Sequence, residues 1–435
     1  MTFAQSVQTP TKHWQRTLTI LFLAQVFTSI GFSSIFPFLP LYIEDLGSST
    51  GLSVEFLSGM VFSAQAFTMM IASPIWGAIA DRYGRKLMVE RAMLGGAVIL
   101  LLMAFARSAE QLVLLRAVQG LITGTIAAAN ALAASVVPRR QTGYAMGLLQ
   151  VGMGSGVALG PLIGGAVADA YGYSAAFYVT SALLFIAGLL VLWGVEEHFE
   201  REQRRPEITQ EPESTQGFEG TLEAGKQFSL LAGWRNILTT PGVIPTYSMR
   251  FVCQLGRMLI IPIAPLFIQT LLTDASRLNT FTGLVVGAAS ATTTFSSIFL
   301  ARLGDRTGHR LIIVFSALAA SGLYFLHCLV RSGWQLLALQ ALVGVALGGI
   351  IPSISALLAI FTKPGEVGAV YGLDNSIDAA GRTVAPMLGS AIAILFSLRS
   401  TFFVTALLFM LISLLAMWLL PKPRPIERKT TLLAP

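Results

Sequence analysis

Apolar residues fill this chain in long runs, broken by short polar clusters, and the runs show none of the two-residue alternation of a half-buried strand. An α-helix needs about 20 apolar residues to cross a hydrocarbon core of about 30 Å. Twelve segments meet that need: 18–43, 53–79, 87–106, 110–136, 142–167, 173–194, 243–271, 281–301, 310–330, 334–362, 367–395 and 399–420. In lipid, a helix satisfies every backbone N–H and C=O within its own segment, so the pattern predicts an all-α membrane protein.

The twelve segments form two sets of six. Pro37-Phe-Leu-Pro-Leu-Tyr-Ile43 returns as Pro262-Ile-Ala-Pro-Leu-Phe-Ile268, an offset of 262 − 37 = 225. Asp81-Arg82-x-Gly84 returns as Asp305-Arg306-x-Gly308 at 224, and Gly147, Gly156, Pro161 and Gly164 return as Gly372, Gly381, Pro386 and Gly389 at 225. A period this long excludes a solenoid. Two copies of a membrane unit predict two pseudo-symmetric six-helix bundles that rock about a site at the bilayer midplane.

The expected organisation is a first bundle over 1–195, a linker over 196–242, a second bundle over 243–421 and a tail over 422–435. The linker is charged and punctuated by proline, without apolar periodicity. Its end, with Phe228, Leu231, Trp234 and Leu238 at helical spacing, suits a short helix lying in the membrane interface. The first apolar stretch follows Lys12 and Arg16, as in a signal peptide, but its length and its duplicated block mark a retained span.

Composition agrees: 54% of residues are hydrophobic and 12% charged, against about 25% charged in a soluble domain. Charge also gives orientation, because short cytoplasmic loops are rich in Lys and Arg. One side holds Arg82, Arg85, Lys86, Arg91, Arg139, Arg140, Arg302, Arg306, Arg310 and Lys363; the other holds only Arg107, Arg277, Arg331 and Arg399. Both termini are therefore expected in the cytoplasm, in a multi-pass cell-membrane protein. The net charge of +7 reflects this asymmetry, and nucleic acid is not an expected partner. Cys253 and Cys328 lack zinc or CxxC spacing and read as packing residues.

The loop between the second and third segments reads Gly77-Ala-Ile-Ala-Asp81-Arg82-Tyr-Gly84-Arg85-Lys86. Gly84 permits a tight helix–helix reversal. Asp81 has two readings: a charge in an ordinary topological turn, or an acceptor for free N–H groups at the start of the eleventh segment, near Gly368. The second reading makes it a cytoplasmic latch between the halves. Asp305, Arg306 and Gly308 repeat the pattern. In the fifth segment Gly152, Gly156, Gly160 and Gly164 are spaced by four, a stripe for close helix approach, and Pro161 removes one backbone bond.

These motifs resemble those of the major facilitator superfamily. Gly77–Lys86 looks like its signature loop, and Arg116-Ala-Val-Gln119-Gly120 resembles its second motif. Gly152-x-x-x-Gly156-x-x-x-Gly160-Pro161-x-x-Gly164-Gly165 is similar to the motif of its twelve-span drug:proton antiporters. Phe36–Tyr42, Ser73-Pro-Ile-Trp-Gly77 and Asn130-Ala-Leu-Ala are similar to the MdtG-like multidrug branch. The resemblance implies the major facilitator fold, alternating access and a glycine-sealed outer face associated with export. The second loop departs from the pattern, with Arg302 in place of Gly77 and His309 in place of Arg85.

A charge at the bilayer centre costs about 2.5–3.5 kcal/mol on insertion scales, so such residues pair or line a cavity. Asp374, Asp378 and Arg382 share one helical face of the eleventh segment, with Asn375 beside them, where the first copy has Leu149, Met153 and Val157. Arg250 and Arg257 lie seven apart in the seventh. Either Asp378 and Arg382 simply pair within the helix, or one or both aspartates load and release a proton. The first half offers Gln25, Gln65, Gln119, Asn130 and Gln150 with Arg116, amides in apolar walls suited to diverse, largely apolar molecules.

The expected activity is proton-coupled export of small organic compounds by a monomer, with the proton gradient as energy source and no cofactor or metal. The alternative is uptake or facilitated transport of a specific anionic metabolite, since buried arginines outnumber buried acids. An enzyme is not expected: HExxH and GxSxG are absent.

Overall fold

The computed structural model describes residues 13–124, 129, 132–133, 137–138, 141–195, 242–272, 275–362 and 367–420. The expected linker, its interfacial helix, the tail and Asn130 lie outside these residues. So do the side chains of Asp81 and Arg82 and any contact of Gly77.

The first half comprises α1 (His13–Ser34), α2 (Leu39–Leu46), α3 (Val54–Tyr83), α4 (Arg85–Met103), α5 (Ala109–Ile122), α6 (Thr142–Tyr171) and α7 (Tyr173–Gly194). The second comprises α8 (Val243–Leu259), α9 (Ala264–Leu271), α10 (Leu278–Thr307), α11 (His309–His327), α12 (Gly333–Leu347), α13 (Ile350–Phe361), α14 (Val367–Leu395) and α15 (Leu398–Leu419). No strand occurs among the described residues. Eight helices, or nine counting the bent pair α8–α9, are long and apolar enough to cross a bilayer. α4 carries Arg85, Lys86, Glu90 and Arg91, α14 carries Asp374, Asp378 and Arg382 in its middle, and α5 is short.

Three predicted spans are not single helices: the tenth divides into α12 and α13 at Gly348–Gly349, and two others break at a proline. The first breaks between α1 and α2 at Pro37, and the seventh between α8 and α9 at Pro262, with a bend of 41°. Proline has no N–H and its ring clashes with the preceding turn, so the duplicated Pro-x-x-Pro block interrupts each helix. The fourth span is helical to Ile122, and Gly124 then turns the backbone to φ +150°.

The halves repeat each other in packing as well as in sequence. α1 packs on α6 and α7, α3 on α5, and α4 on α7; α8 packs on α14 and α15, α10 on α12, and α11 on α15. The rings of Tyr42 and Phe177 meet at a tilt of 49° with centroids 5.4 Å apart; 225 residues later those of Phe267 and Phe402 meet at 55° and 5.0 Å. Gly84 and Gly308 close the duplicated loops at φ 101° and 97°, a conformation costly for any residue with a Cβ. Lys86 donates from Nζ to Leu192 O (2.9 Å), and Arg310 from Nε to Ala416 O (3.1 Å). Both positions are offset by 224, and both cations cap carbonyls near the end of the last helix in their half. One tie is mirrored with its roles exchanged. Ser181 on α7 donates to Ala97 O on α4 (2.8 Å), whereas Ser321 on α11 donates to Ala406 O on α15 (2.8 Å).

Within lipid, apolar burial between helices gains little, and close packing does the work. The glycine stripe shows this. A Cβ at Gly156 would stand 2.4 Å from Ser29 Cβ, one at Gly160 1.9 Å from Ser33 Oγ, and one at Gly164 2.1 Å from Ser34 O. Ser33 Oγ also donates to Gly156 O at 2.9 Å. The stripe thus binds α6 to α1 inside its own half. Contact with the other half uses the adjacent face of α6: Cβ atoms at Gly165, Gly283 and Gly287 would lie 2.2, 2.1 and 2.8 Å from Asn279 O, Pro161 O and Ala158 O. α3 meets α14 similarly, where a Cβ at Gly59 would stand 2.5 Å from Ser390 Oγ. These contacts bring the halves together around the start of α3, the end of α6, the start of α10 and the end of α14, which are all outer ends in the expected topology.

Candidate functional site

A cluster of four charges lies where α8 packs on α14. The i, i+4, i+8 spacing of Asp374, Asp378 and Arg382 puts them on one face of α14, and that face meets Arg250 and Gln254, one turn apart on α8. Arg382 Nε donates to Asp378 Oδ2 at 2.7 Å. Arg250 bridges the two acids, with Nε 3.4 Å from Asp374 Oδ1 and Nη2 3.5 Å from Asp378 Oδ1. With its amide turned to match its partners, Gln254 donates to Asp378 Oδ1 (3.2 Å) and accepts from Arg382 Nε (3.1 Å). Gly381 admits this approach, because a Cβ there would stand 2.9 Å from Gln254 Cβ. Tyr247 fixes the same helix pair by donating to Val370 O at 2.9 Å.

Two carboxylates and two guanidiniums leave the cluster formally neutral. A unit-charge pair at this separation attracts by about 4 kcal/mol at an effective dielectric of 20, enough to offset an insertion cost of about 3 kcal/mol per charge. The cluster is open on one side only. The side chains of Asp374 and Asp378 are 8% and 12% exposed and that of Arg250 15%, while Arg382 is 48% exposed. The Asp378–Arg382 pair is the contact named in the first of the two readings of these residues from sequence. The bridge across helices to Arg250 was not legible, and Gln254 was missed, although its spacing of four from Arg250 places it on the same face.

Arg257, two turns beyond Arg250, has no ion pair or hydrogen bond among the described residues and stays half-buried near the Tyr324 hydroxyl. Arg116 on α5 is 2% exposed; it donates from Nη1 to Gln119 Oε1 (2.8 Å) and stands 5.6 Å from the centre of the Phe62 ring. Its Nε and Nη2 have no hydrogen-bond partner.

The remaining candidates scatter. Gln25 is buried and donates to Ser29 Oγ at 3.3 Å, Gln119 is fully buried, Gln65 is half-buried, and Gln150 and Asn375 are exposed. Arg85 is half-buried and Arg306 exposed. Asp305 Oδ1 lies 3.3 Å from Nε2 of His309, which opens α11 just past the Gly308 turn, and among the described residues shows no contact with α6. Arg91, read as a loop cation, lies flat against Trp76 at 3.4 Å from the ring centre, while Trp76 Nε1 donates to Leu121 O at 2.6 Å. Asp169, at the end of α6, was also missed; its carboxylate accepts from Asn279 and Thr280 at the start of α10.

Two matched helical bundles, the second carrying a charged cluster between two of its own helices, define a multi-pass membrane transporter and not an enzyme. Comparison with known proteins agrees. The family profile described as Major Facilitator Superfamily matches twice, over residues 21–251 and 246–434. The chain is 34% identical over 420 residues to "Multidrug resistance protein MdtG" of Serratia proteamaculans (strain 568), covering 97% of each chain. It is 33% identical over 394 residues to the protein of that name from Salmonella typhimurium (strain LT2), covering 91% of this chain and 93% of that one. Among solved structures, a D-xylose–proton symporter superposes with a TM-score of 0.75 at 12% identity, covering 94% of this chain and 98% of the other. A bacterial homologue of the human lysosomal transporter Spinster, inward-facing and occupied, gives 0.74 at 13%, covering 94% and 97%. The chain belongs to the Major Facilitator Superfamily and has its fold.

Proposed function

We propose that the protein is a multidrug exporter that moves small, largely apolar organic compounds out of the cell in exchange for protons, by alternating access between its two halves. The observation that carries the proton coupling is the pair Asp374 and Asp378, held inside the membrane by Arg250 and Arg382. A proton taken by Asp378 removes the charge that holds Arg382, and that arginine then turns toward the space its exposed face already meets. Substrate and proton thereby exclude each other, as antiport requires. The nearly full-length likeness to proteins named for multidrug resistance supports export and a broad substrate range. The Lys/Arg asymmetry supports cytoplasmic termini, and the protein works as a monomer without cofactor or metal.

Asp81 remains the proposed cytoplasmic latch against the start of α14. A second reading, transport of an anionic metabolite, is favoured by Arg257 and Arg116, which have no acidic partner among the described residues. Flux in proteoliposomes with the proton gradient imposed in each direction separates the two. Export requires substrate to leave toward the acidic side; accumulation of an anion together with protons sinks the antiport reading.

A further inference from the structure

We infer that Asp169 is a gating residue of the transport cycle: its carboxylate is a latch that holds the outer ends of the two halves together. The inference rests on the alternating-access reading above. Three donors from the other half converge on this side chain. Asn279 N reaches Oδ1 at 3.1 Å, Asn279 Nδ2 reaches Oδ1 at 2.8 Å, and Thr280 N reaches Oδ2 at 2.7 Å.

The start of α10 needs such an acceptor. The first N–H groups of a helix have no intrahelical partner, and a Ser, Thr, Asp or Asn at the N-cap usually accepts from them. α3 is the matching helix in the first half, and Ser53 caps it by accepting from Phe56 N. At the start of α10 the N-cap residue is Arg277, which supplies no side-chain cap and puts a cation at the positive end of the helix. Asp169 supplies the missing acceptor and the missing negative charge from across the interface. The duplication has no counterpart, because the residue 225 positions on is Ile394.

Behind the latch the two backbones touch at Gly165 and Asn279 and at Pro161 and Gly283, so the carboxylate closes a seam that is already tight. The other ionisable groups nearby are Arg277 and Tyr173; Tyr173 lies near Asp169, Asp45 and Glu44 and hydrogen-bonds Asn279. Opening the outer face withdraws Asp169 from α10. Because the seam ends at the membrane surface, water can take up the freed N–H groups, which makes the latch reversible.

The experiment uses the full chain in lipid nanodiscs, with Cys253 and Cys328 replaced by serine and spin labels at Phe105→Cys and Leu329→Cys. These exposed positions follow α4 and α11 and correspond at the offset of 224. The distance distribution reports the closed and open outer face. Asp169→Ala is expected to raise the open-to-closed ratio by about fivefold, the factor equivalent to a lost N-cap. Asp169→Asn keeps one acceptor oxygen and is expected to fall between Asp169→Ala and the wild type.

Glu110→Ala is the control. Glu110 accepts from Ser48, Ser49 and Thr50, all within the first half, and its loss is expected to leave the ratio unchanged. An unchanged ratio in Asp169→Ala, or an equal shift in Glu110→Ala, overturns the latch. Export by the same proteins keeps the two readings apart: a shift in Asp169→Ala without export by the wild type sinks the transport reading and leaves the latch standing.

Discussion

Asp378→Asn separates coupling from folding. The substitution keeps the size of the side chain and removes one negative charge, leaving Asp374 to face both Arg250 and Arg382. Breaking a buried ion pair by deleting one partner costs about 3–5 kcal/mol. Arg382 is 48% exposed, so solvent takes up much of its freed charge and the expected loss is closer to about 1–2 kcal/mol. The protein should therefore fold, with a modest fall in melting temperature. Proton-driven efflux from loaded proteoliposomes should drop to the leak rate, while downhill exchange of substrate across the same membrane continues, since no carboxylate at 378 remains to exchange a proton. Asp378→Asn combined with Arg382→Gln should regain stability without regaining coupling. Full proton-driven efflux in Asp378→Asn would refute the reasoning.

Other consequences are more local. Gly164→Ala puts a methyl group 2.1 Å from Ser34 O, backbone that cannot swing aside, so α6 must leave α1; thermal unfolding in detergent should show a loss of about 2 kcal/mol or more. Lys86→Ala and Arg310→Ala remove equivalent caps and should cost about 0.5–1 kcal/mol each, additively within error, because they lie in different halves. A double variant far less stable than the sum would show that the caps act through a shared interface.

Much of the fold was legible because the bilayer restricts the chain to helices of a set length, and the duplication could be read directly from Pro37–Ile43 and Pro262–Ile268. Contacts between helices were less legible, since periodicity tells which residues share a face but not which helix that face meets. The Gly152–Gly164 stripe illustrates this: it lies on α1, and the neighbouring face of α6 meets the other half. Asp374, Asp378 and Arg382 announced themselves as charges in an apolar run. Gln254 and Asp169 did not, because an amide on an interior face and an acid at a helix end are ordinary until a partner from another helix arrives.

The hydrogen bonds of Ser181 and Ser321 carry a lesson for anyone aligning the halves. In each, a hydroxyl meets a carbonyl at the same spot between the third and sixth spans, yet the serine sits on the sixth span in one copy and on the third in the other. Residue-by-residue matching scores both positions as mismatches. Kinship between the copies is better judged by where polar groups find one another than by which strand of the weave contributes the donor.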